Sequence, residues 1–166
     1  MIKKDEILSF INRIKVNTIK IVLTIVFYLA VALFGTAFTD TTSEWYSSLL
    51  LPAIQPPPQV FMYVWSFLYL LLTVITAFIV TNEGFTPRLR NLLLANGVLN
   101  VLWSYVFFTK ENLFGALLVL IALIIIGYFI YKELNRIKPL FGYLFVPYLA
   151  WLVLAIYLNY MIYFLN

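Results

Sequence analysis

Five long stretches of this sequence contain no charged residue, and this constrains the fold more than any other feature. The uncharged stretches are residues 21–39, 45–82, 91–109, 112–131 and 139–166. A helix of about 20 apolar residues crosses the hydrocarbon core of a bilayer, and each stretch is long enough to hold one. Hydrophobic residues make up 64% of the chain and charged residues only 11%, which is too few for a soluble protein. The sequence therefore predicts an all-α integral membrane protein with a bundle of five transmembrane helices.

Prolines divide the second uncharged stretch into a loop and a helix. Pro52 and the triplet Pro56, Pro57 and Pro58 exclude a regular helix before about residue 59, because proline has a fixed φ and no backbone N–H. The predicted helices lie near residues 18–39, 59–82, 89–109, 112–132 and 139–164, within one membrane domain of residues 18–166. Residues 40–58 are expected to form a stiff lid across the bundle. A linker that contacts no ligand is the alternative.

Residues 1–17 differ from the rest because apolar and basic side chains are interspersed along them. Ile7, Phe10, Ile11 and Ile14 recur at helical spacing, and basic residues lie among them. This pattern is typical of a basic amphipathic helix at the membrane surface. A frayed tail is the alternative, since isolated helices of this length are marginal in water.

Several kinds of chemistry are excluded by missing residue types. The chain contains no cysteine and no histidine, so disulfides, thiolate metal sites and nucleophile–base pairs built on these residues are excluded. We expect no metal and no cofactor.

The net charge is +4, but the basic residues are scattered, which argues against nucleic acid as a partner. No Asp, Glu, Lys or Arg lies within the five stretches, and this disfavours ion-coupled transport.

The basic residues lie almost entirely at one end of the predicted helices. Ten of the eleven belong to the N-terminal segment, the second loop or the fourth loop, whereas Lys110 lies on the opposite side. Loops rich in lysine and arginine remain in the cytoplasm. The N-terminus is therefore expected in the cytoplasm and the C-terminus outside, with the loop of residues 40–58 on the outer face.

Polar side chains form a stripe along the third predicted helix. Asn96, Asn100 and Ser104 repeat every four residues and share one face, with Trp103 beside Asn100. A polar stripe in lipid must face protein or a cavity. Two interpretations remain open, namely hydrogen bonds between helices that hold the bundle together and contacts to a ligand.

Aromatic residues follow one face of two other predicted helices. The second helix carries Phe61, Trp65, Tyr69 and Thr73 on such a face, and the fifth carries Tyr148, Trp151, Ala155 and Asn159. The tryptophans lie deep within uncharged stretches, which weakens their interpretation as an interfacial belt. Three helices could therefore bring aromatic and hydrogen-bonding groups to one interior. Simple aromatic packing is the alternative.

Together these motifs resemble the TspO/MBR family, which includes the tryptophan-rich sensory proteins and the mitochondrial translocator protein. The matching motifs are Trp45-Tyr46-x-x-Leu49-x-x-Pro52-x-x-x-Pro56-Pro57, Phe61-x-x-x-Trp65-x-x-Leu68-Tyr69, Asn96-x-x-x-Asn100-x-x-Trp103-Ser104 and Pro147-Tyr148-x-x-Trp151. They occur in the family's order on the predicted helices. The resemblance covers residues 22–163, nearly the whole chain.

The resemblance implies a five-helix bundle, often a homodimer, that binds porphyrins in a cavity closed by the first loop. The ligand-binding residues that it implies are Tyr46, Trp65, Tyr69, Asn100, Trp103, Trp151 and Ala155. For bacterial members it also implies light- and oxygen-dependent breakdown of protoporphyrin, in which Trp65 and Trp151 would be the catalytic tryptophans. Two positions depart from the family pattern: Leu51 replaces a lysine and Ile54 replaces a tryptophan.

We therefore expect a membrane receptor for a flat, largely apolar ligand, a tetrapyrrole such as protoporphyrin, in the cell membrane of a bacterium. Aromatic stacking and an amide hydrogen bond from Asn100 would hold the ligand. Two alternatives remain open. One is a transporter of porphyrin or another small hydrophobic molecule, and the other is a regulatory protein whose partner contacts change when the ligand binds.

Overall fold

The computed structural model describes residues 4–83 and 85–166, which form helices joined by short loops. The α-helices in this part of the chain are α1 (Lys4–Phe38), α2 (Glu44–Ser48), α3 (Pro58–Phe78), α4 (Pro87–Ser104), α5 (Leu113–Ile137) and α6 (Pro139–Leu165). One π-helical turn continues α3 over Ile79–Glu83, and another continues α4 over Tyr105–Thr109. Every helix except α2 is long and apolar enough to cross a membrane. The predicted all-α membrane fold with five spanning helices is confirmed.

Prolines and capping side chains determine where the long helices begin. Pro58, Pro87 and Pro139 each occupy the first turn of a helix, where the missing N–H has no intrahelical partner to lose. At the start of α4, the Thr86 hydroxyl accepts a hydrogen bond from the Leu89 backbone N–H at 3.1 Å. These prolines and the Thr86 cap therefore set the starts of α3, α4 and α6 next to the loops that the sequence predicts.

The first helix extends beyond the span predicted for it. α1 begins at Lys4 and runs without a break through residue 17, where we predicted a boundary between a surface segment and the first span. Residues 4–34 contain no glycine or proline that would interrupt the helix. Its 35 residues extend about 50 Å, against about 30 Å for a hydrocarbon core. Residues 1–3 of the predicted surface segment lie outside the described residues.

The core of the bundle lies between α3, α4, α5 and α6. Its most deeply buried apolar side chains include Leu68, Leu89, Leu120, Phe145 and Leu152. Gly127 allows α5 and α6 to approach closely, since a Cβ atom there would lie 2.8 Å from the Leu149 side chain. On α1, by contrast, Leu23 and Leu33 are more than half exposed, as expected for side chains that face lipid.

Polar contacts join the helices at the end of the bundle where α3 ends and α4 begins. Glu133 of α5 forms ion pairs with Arg88 at 3.2 Å and with Arg136 at 2.9 Å, which links α5 to the start of α4. Lys20 Nζ donates a hydrogen bond of 3.0 Å to the Val80 carbonyl in the π-helical turn after α3. These contacts hold together the end of the bundle opposite residues 40–58.

Candidate ligand-binding site

A cavity of about 320 Å³ lies inside the bundle at the end covered by residues 40–58. Side chains from that loop and from all five long helices line it. Its wall includes every residue for which we predicted a ligand contact: Tyr46, Trp65, Tyr69, Asn100, Trp103, Trp151 and Ala155. The tertiary structure thus brings the seven residues to one space, and their contact with a ligand stays a prediction.

Aromatic rings of α3 and α6 meet in the cavity wall. The rings of Trp65 and Tyr69 stack with centroids 5.4 Å apart, and Trp65 meets Trp151 edge to face at 6.4 Å. Phe61 also contacts Trp151 edge to face, at 5.4 Å. Thr73 does not line the cavity although it shares the predicted face, and its hydroxyl donates to the Tyr69 carbonyl at 2.7 Å. The wall between α3 and α6 therefore offers flat apolar surfaces for stacking.

The Trp103 indole is held in the cavity wall by Asn159 of α6. Trp103 Nε1 donates a hydrogen bond to Asn159 Oδ1 at 3.1 Å, and Asn159 Nδ2 donates to the Leu113 carbonyl at 2.9 Å. Asn159 is only 2% exposed, so neither bond competes with water. This side chain links α4, α6 and the start of α5 beside the cavity.

The polar stripe of α4 divides between the two interpretations. Asn96 lies outside the cavity wall, and its Nδ2 donates to the Tyr148 hydroxyl of α6 at 2.7 Å. Asn100 and Ser104 line the cavity. However, Asn100 Nδ2 also donates hydrogen bonds to other groups of the bundle, to the Asn96 carbonyl at 2.8 Å and to the Tyr148 hydroxyl at 2.9 Å. The stripe thus holds helices together at Asn96, while Asn100 both joins this network and faces the cavity.

We expect the Tyr148→Phe variant to lower the free energy of unfolding by about 1–2 kcal/mol. Phenylalanine fills the same space but leaves the buried Asn96 amide without its hydroxyl partner. Thermal unfolding in detergent measures the loss. The control is Tyr157→Phe on the same helix, because Tyr157 is 46% exposed on the lipid-facing surface. Equal stability of the two variants would contradict a stabilising role for this network.

One wall of the cavity comes from α1, which our sequence reasoning did not assign to the site. Ala32, Gly35 and Thr36 line the cavity from this helix, and Thr39, the residue after its end at Phe38, lines it as well. The three helical residues are small and spaced three and one positions apart, which places them on one helical face. That spacing is the signal that could have identified them, because small residues in a membrane helix allow close approach of neighbouring groups.

The loop of residues 40–58 closes one end of the cavity. Tyr46 and Gln55 line the cavity from this loop. The ring of Trp45 packs on Phe107, and that of Tyr46 on Phe108, each pair with centroids 5.6 Å apart. Both phenylalanines lie in the π-helical turn after α4 and line the cavity, which brings two consecutive side chains to the same space. The loop therefore occupies the position expected of a lid.

Polar contacts hold this loop in place. Asn166 Oδ1 accepts a hydrogen bond from the Leu50 backbone N–H at 3.0 Å, and Asn166 Nδ2 donates to the Leu50 carbonyl at 3.2 Å. The Asp40 carboxylate accepts hydrogen bonds from the hydroxyl and the backbone N–H of Thr42, which lower the pKa of Asp40. Burial raises the pKa of the Tyr46 hydroxyl, and the Gln55 amide opposes this rise. Tyr46 is therefore neutral at physiological pH.

Two buried polar atoms, on side chains that line the cavity, have no partner among the described residues. Trp151 Nε1 and Gln55 Oε1 are buried, and no hydrogen bond satisfies either atom. Both residues line the cavity. An unsatisfied buried donor or acceptor is costly, and a bound molecule could pair with either atom only after the side chains that cover it move.

Known proteins are similar to this chain along most of its length. The model of the TspO/MBR family matches residues 23–165. The Tryptophan-rich protein TspO of Archaeoglobus fulgidus is 32% identical, over 90% of this chain and 99% of its own. The Tryptophan-rich protein TspO of Bacillus cereus is 30% identical, over 86% of this chain and 95% of its own. A Tryptophan-rich sensory protein of Cereibacter sphaeroides is 32% identical, over 70% of this chain and 73% of its own. With five membrane helices and this family match, the chain belongs to the TspO/MBR family.

Proposed function

We propose that this protein is a membrane receptor for a flat, hydrophobic ligand, a tetrapyrrole such as protoporphyrin. The observation that carries the proposal is a cavity beneath a loop, with Trp65, Trp103 and Trp151 in its wall. Such rings stabilise a flat aromatic ligand by stacking and by burying its apolar surface. The volume of about 320 Å³ is at the lower end for pockets that hold drug-sized ligands. We therefore expect residues 40–58 to move outward when a macrocycle enters.

A sensor role and a homodimer form part of this proposal. The name of the relative from Cereibacter sphaeroides, a Tryptophan-rich sensory protein, supports the sensor role. In this role the bound ligand changes the protein's contacts with a partner. Chemical crosslinking in membranes, with and without protoporphyrin, tests both the dimer and the change in contacts.

Light- and oxygen-dependent degradation of the bound porphyrin is a further part of the proposal. Trp65 and Trp151 lie together in the cavity wall and are readily oxidised side chains. The excited macrocycle and dissolved oxygen would supply the oxidising power. In this proposal the two tryptophans are catalytic because they contact the reacting macrocycle.

Titration of the protein's tryptophan fluorescence with protoporphyrin tests binding. Saturable quenching is expected, since three tryptophans line the cavity. Ala155→Phe is the matched control, because Ala155 is buried in the cavity wall and a phenyl ring there would occupy the space. This variant should lose the saturable quenching. Equal quenching of both proteins would place the porphyrin in the surrounding bilayer and contradict the proposal.

Transport is distinguished from the receptor role by flux. A receptor moves no protoporphyrin into sealed liposomes, whereas a transporter does so in proportion to the amount of protein. Flux that disappears in Ala155→Phe would favour the transporter.

We propose that the protein lies in the cell membrane with its N-terminus in the cytoplasm and its C-terminus outside. Because the chain contains no cysteine, single cysteines report their own accessibility. Cysteines at Ser43 and appended to the C-terminus should react with an impermeant maleimide on intact cells or spheroplasts. A cysteine at Ser9 should react only after permeabilisation. The reverse pattern would contradict this orientation.

A further inference from the structure

The side-chain amide of Asn166 pairs with both backbone groups of one residue in the loop of residues 40–58. Its Oδ1 accepts from the Leu50 N–H at 3.0 Å, and its Nδ2 donates to the Leu50 carbonyl at 3.2 Å. Two residues of adjacent antiparallel strands exchange hydrogen bonds in the same way. Because Leu50 and Asn166 are 116 positions apart in the chain, this pair joins the middle of the loop to the end of α6.

A third hydrogen bond determines the orientation of the Asn166 amide. Its Nδ2 also donates to the Ile162 carbonyl, one turn earlier on α6, at 2.8 Å. A backbone carbonyl can only accept and a backbone N–H can only donate, so all three bonds require the same orientation of the amide. Rotation of the amide by half a turn would lose all three bonds at once. The side chain is therefore fixed in the position that meets Leu50.

The remaining attachment of the loop to the long helices is apolar. In the part of the chain that the structure describes, residues 44–55 form no other hydrogen bond to these five helices. Trp45 and Leu49 instead pack against an apolar cluster that includes Phe107 and Ile162. Apolar contacts have no preferred direction, whereas hydrogen bonds require a defined distance and angle. The pair with α6 therefore defines the closed position of the loop.

A large ligand can enter the cavity only if this pair separates. Tyr46 and Gln55 line the cavity from either side of Leu50 along the loop. The closed cavity of about 320 Å³ is small for a macrocycle, so the loop must move outward and carry Leu50 away from Asn166. Leu50 is 61% exposed, and water can then replace Asn166 at its backbone groups. The cost of opening is therefore modest and is paid from the free energy of ligand binding.

We infer that the Asn166–Leu50 pair is a latch that keeps the empty cavity closed and opposes the entry of a macrocycle. This inference rests on the proposed function, because the loop covers the cavity of the proposed receptor. The latch lowers the fraction of protein that is open to a ligand, which lowers both the rate of association and the affinity. It has no effect on dissociation, because the pair is already broken in the complex.

The Asn166→Ala variant tests the latch with protoporphyrin. Its association rate and its affinity should each rise about fivefold, with an unchanged dissociation rate. Stopped-flow quenching of tryptophan fluorescence in nanodiscs measures the rates after subtraction of the Ala155→Phe signal. A residue that contacted the ligand would instead lower the affinity when truncated. Wild-type rates, or a lower affinity, in Asn166→Ala would overturn the latch.

Asn82→Ala is the matched control. Asn82 Nδ2 donates to the Phe78 carbonyl four residues earlier at 3.1 Å, as Asn166 Nδ2 does to that of Ile162. Asn82 is also exposed, but it lies at the opposite end of the bundle from the loop. Its variant should therefore bind protoporphyrin like wild type. An equal gain of affinity in both variants would show that contact with the loop is not the cause.

Amide hydrogen exchange at Leu50 tests the latch without any ligand. The Leu50 N–H exchanges with solvent when it separates from Asn166 Oδ1. In the empty protein, exchange at this amide should be about fivefold faster in Asn166→Ala than in wild type and unchanged in Asn82→Ala. Equal exchange in wild type and Asn166→Ala would show that Asn166 does not hold the loop.

A covalent link tests the same step from the opposite direction. The chain contains no cysteine, so the Leu50→Cys/Asn166→Cys variant carries its only two thiols. A short bifunctional thiol reagent that joins them, as verified by protein mass, holds the loop against α6. Association of protoporphyrin should then slow by about tenfold or more. Wild type treated with the reagent is the control, and equally fast association in the linked protein would overturn the latch.

Failure of the latch is distinguishable from failure of the proposed function. If protoporphyrin binds to wild type and to Asn166→Ala with the same rate and affinity, the latch is overturned and the receptor proposal stands. If neither protein gives a signal beyond that of Ala155→Phe, the receptor proposal fails, and the role of the latch in ligand entry fails with it. Amide exchange at Leu50 still decides in that case whether Asn166 holds the loop.

Discussion

Replacing both Trp65 and Trp151 with phenylalanine should remove most of the light-dependent bleaching of bound protoporphyrin. An excited porphyrin passes energy or an electron to oxygen, and it can take an electron from an oxidisable neighbour. The two indoles lie in the cavity wall, edge to face at 6.4 Å. Phenylalanine keeps an aromatic surface for stacking but lacks the readily oxidised indole. Absorbance of the porphyrin under illumination, measured at equal amounts of bound ligand, gives the bleaching rate.

This experiment needs three controls: darkness, absence of oxygen and a tryptophan variant outside the cavity wall. Bleaching in wild type should stop in the dark or without oxygen. Trp45→Phe should bleach like wild type, since Trp45 lies outside the cavity wall against Phe107. A double variant that binds porphyrin and degrades it at the wild-type rate would show that the tryptophans only enclose the ligand, and the protein would then be a binding protein without this activity.

Asn159→Leu should lower the free energy of unfolding by about 2–4 kcal/mol, because it leaves two buried groups unpaired. These groups are Trp103 Nε1, at 3.1 Å from Asn159 Oδ1, and the Leu113 carbonyl, at 2.9 Å from Asn159 Nδ2. Porphyrin affinity should also fall, since Trp103 loses the contact that holds it in the cavity wall. Thermal unfolding and the fluorescence titration measure the two effects.

The neighbouring residue provides the control for this variant. Tyr160→Phe changes a side chain that is 49% exposed, so both its stability and its porphyrin affinity should match wild type. Wild-type stability of Asn159→Leu would mean that the two partners find other hydrogen bonds, contrary to the role assigned to Asn159.

The number of spanning helices and the identity of many cavity residues follow from local pattern. Five uncharged stretches are each long enough to span a bilayer, and prolines mark the start of α3, α4 and α6. Because lipid disfavours polar side chains, Asn100 and Ser104 had to face the interior, and helical spacing aligned Trp65 with Tyr69. Both constraints act within one helix, so they can be predicted without knowledge of the neighbours.

The partners of those side chains depend on helices that are distant in the sequence. Spacing along α4 could not show that Asn100 Nδ2 donates to the Tyr148 hydroxyl, because Tyr148 lies on α6. The side of the cavity formed by α1 was not predicted for a related reason. Small residues line a cavity only where neighbouring helices leave a space beside them.

The sequence by itself determined the membrane class, the spans and the residue types available to a ligand, because these depend on composition and on the period of a single helix. Only the tertiary structure decided which polar atoms remain unpaired. Among the residues that the structure describes, Trp151 Nε1 has no partner, whereas Trp103 Nε1 is satisfied by Asn159, although both indoles line the same cavity. The physical reason is that a buried hydrogen bond requires a partner at the right distance and direction, and packing between helices sets both.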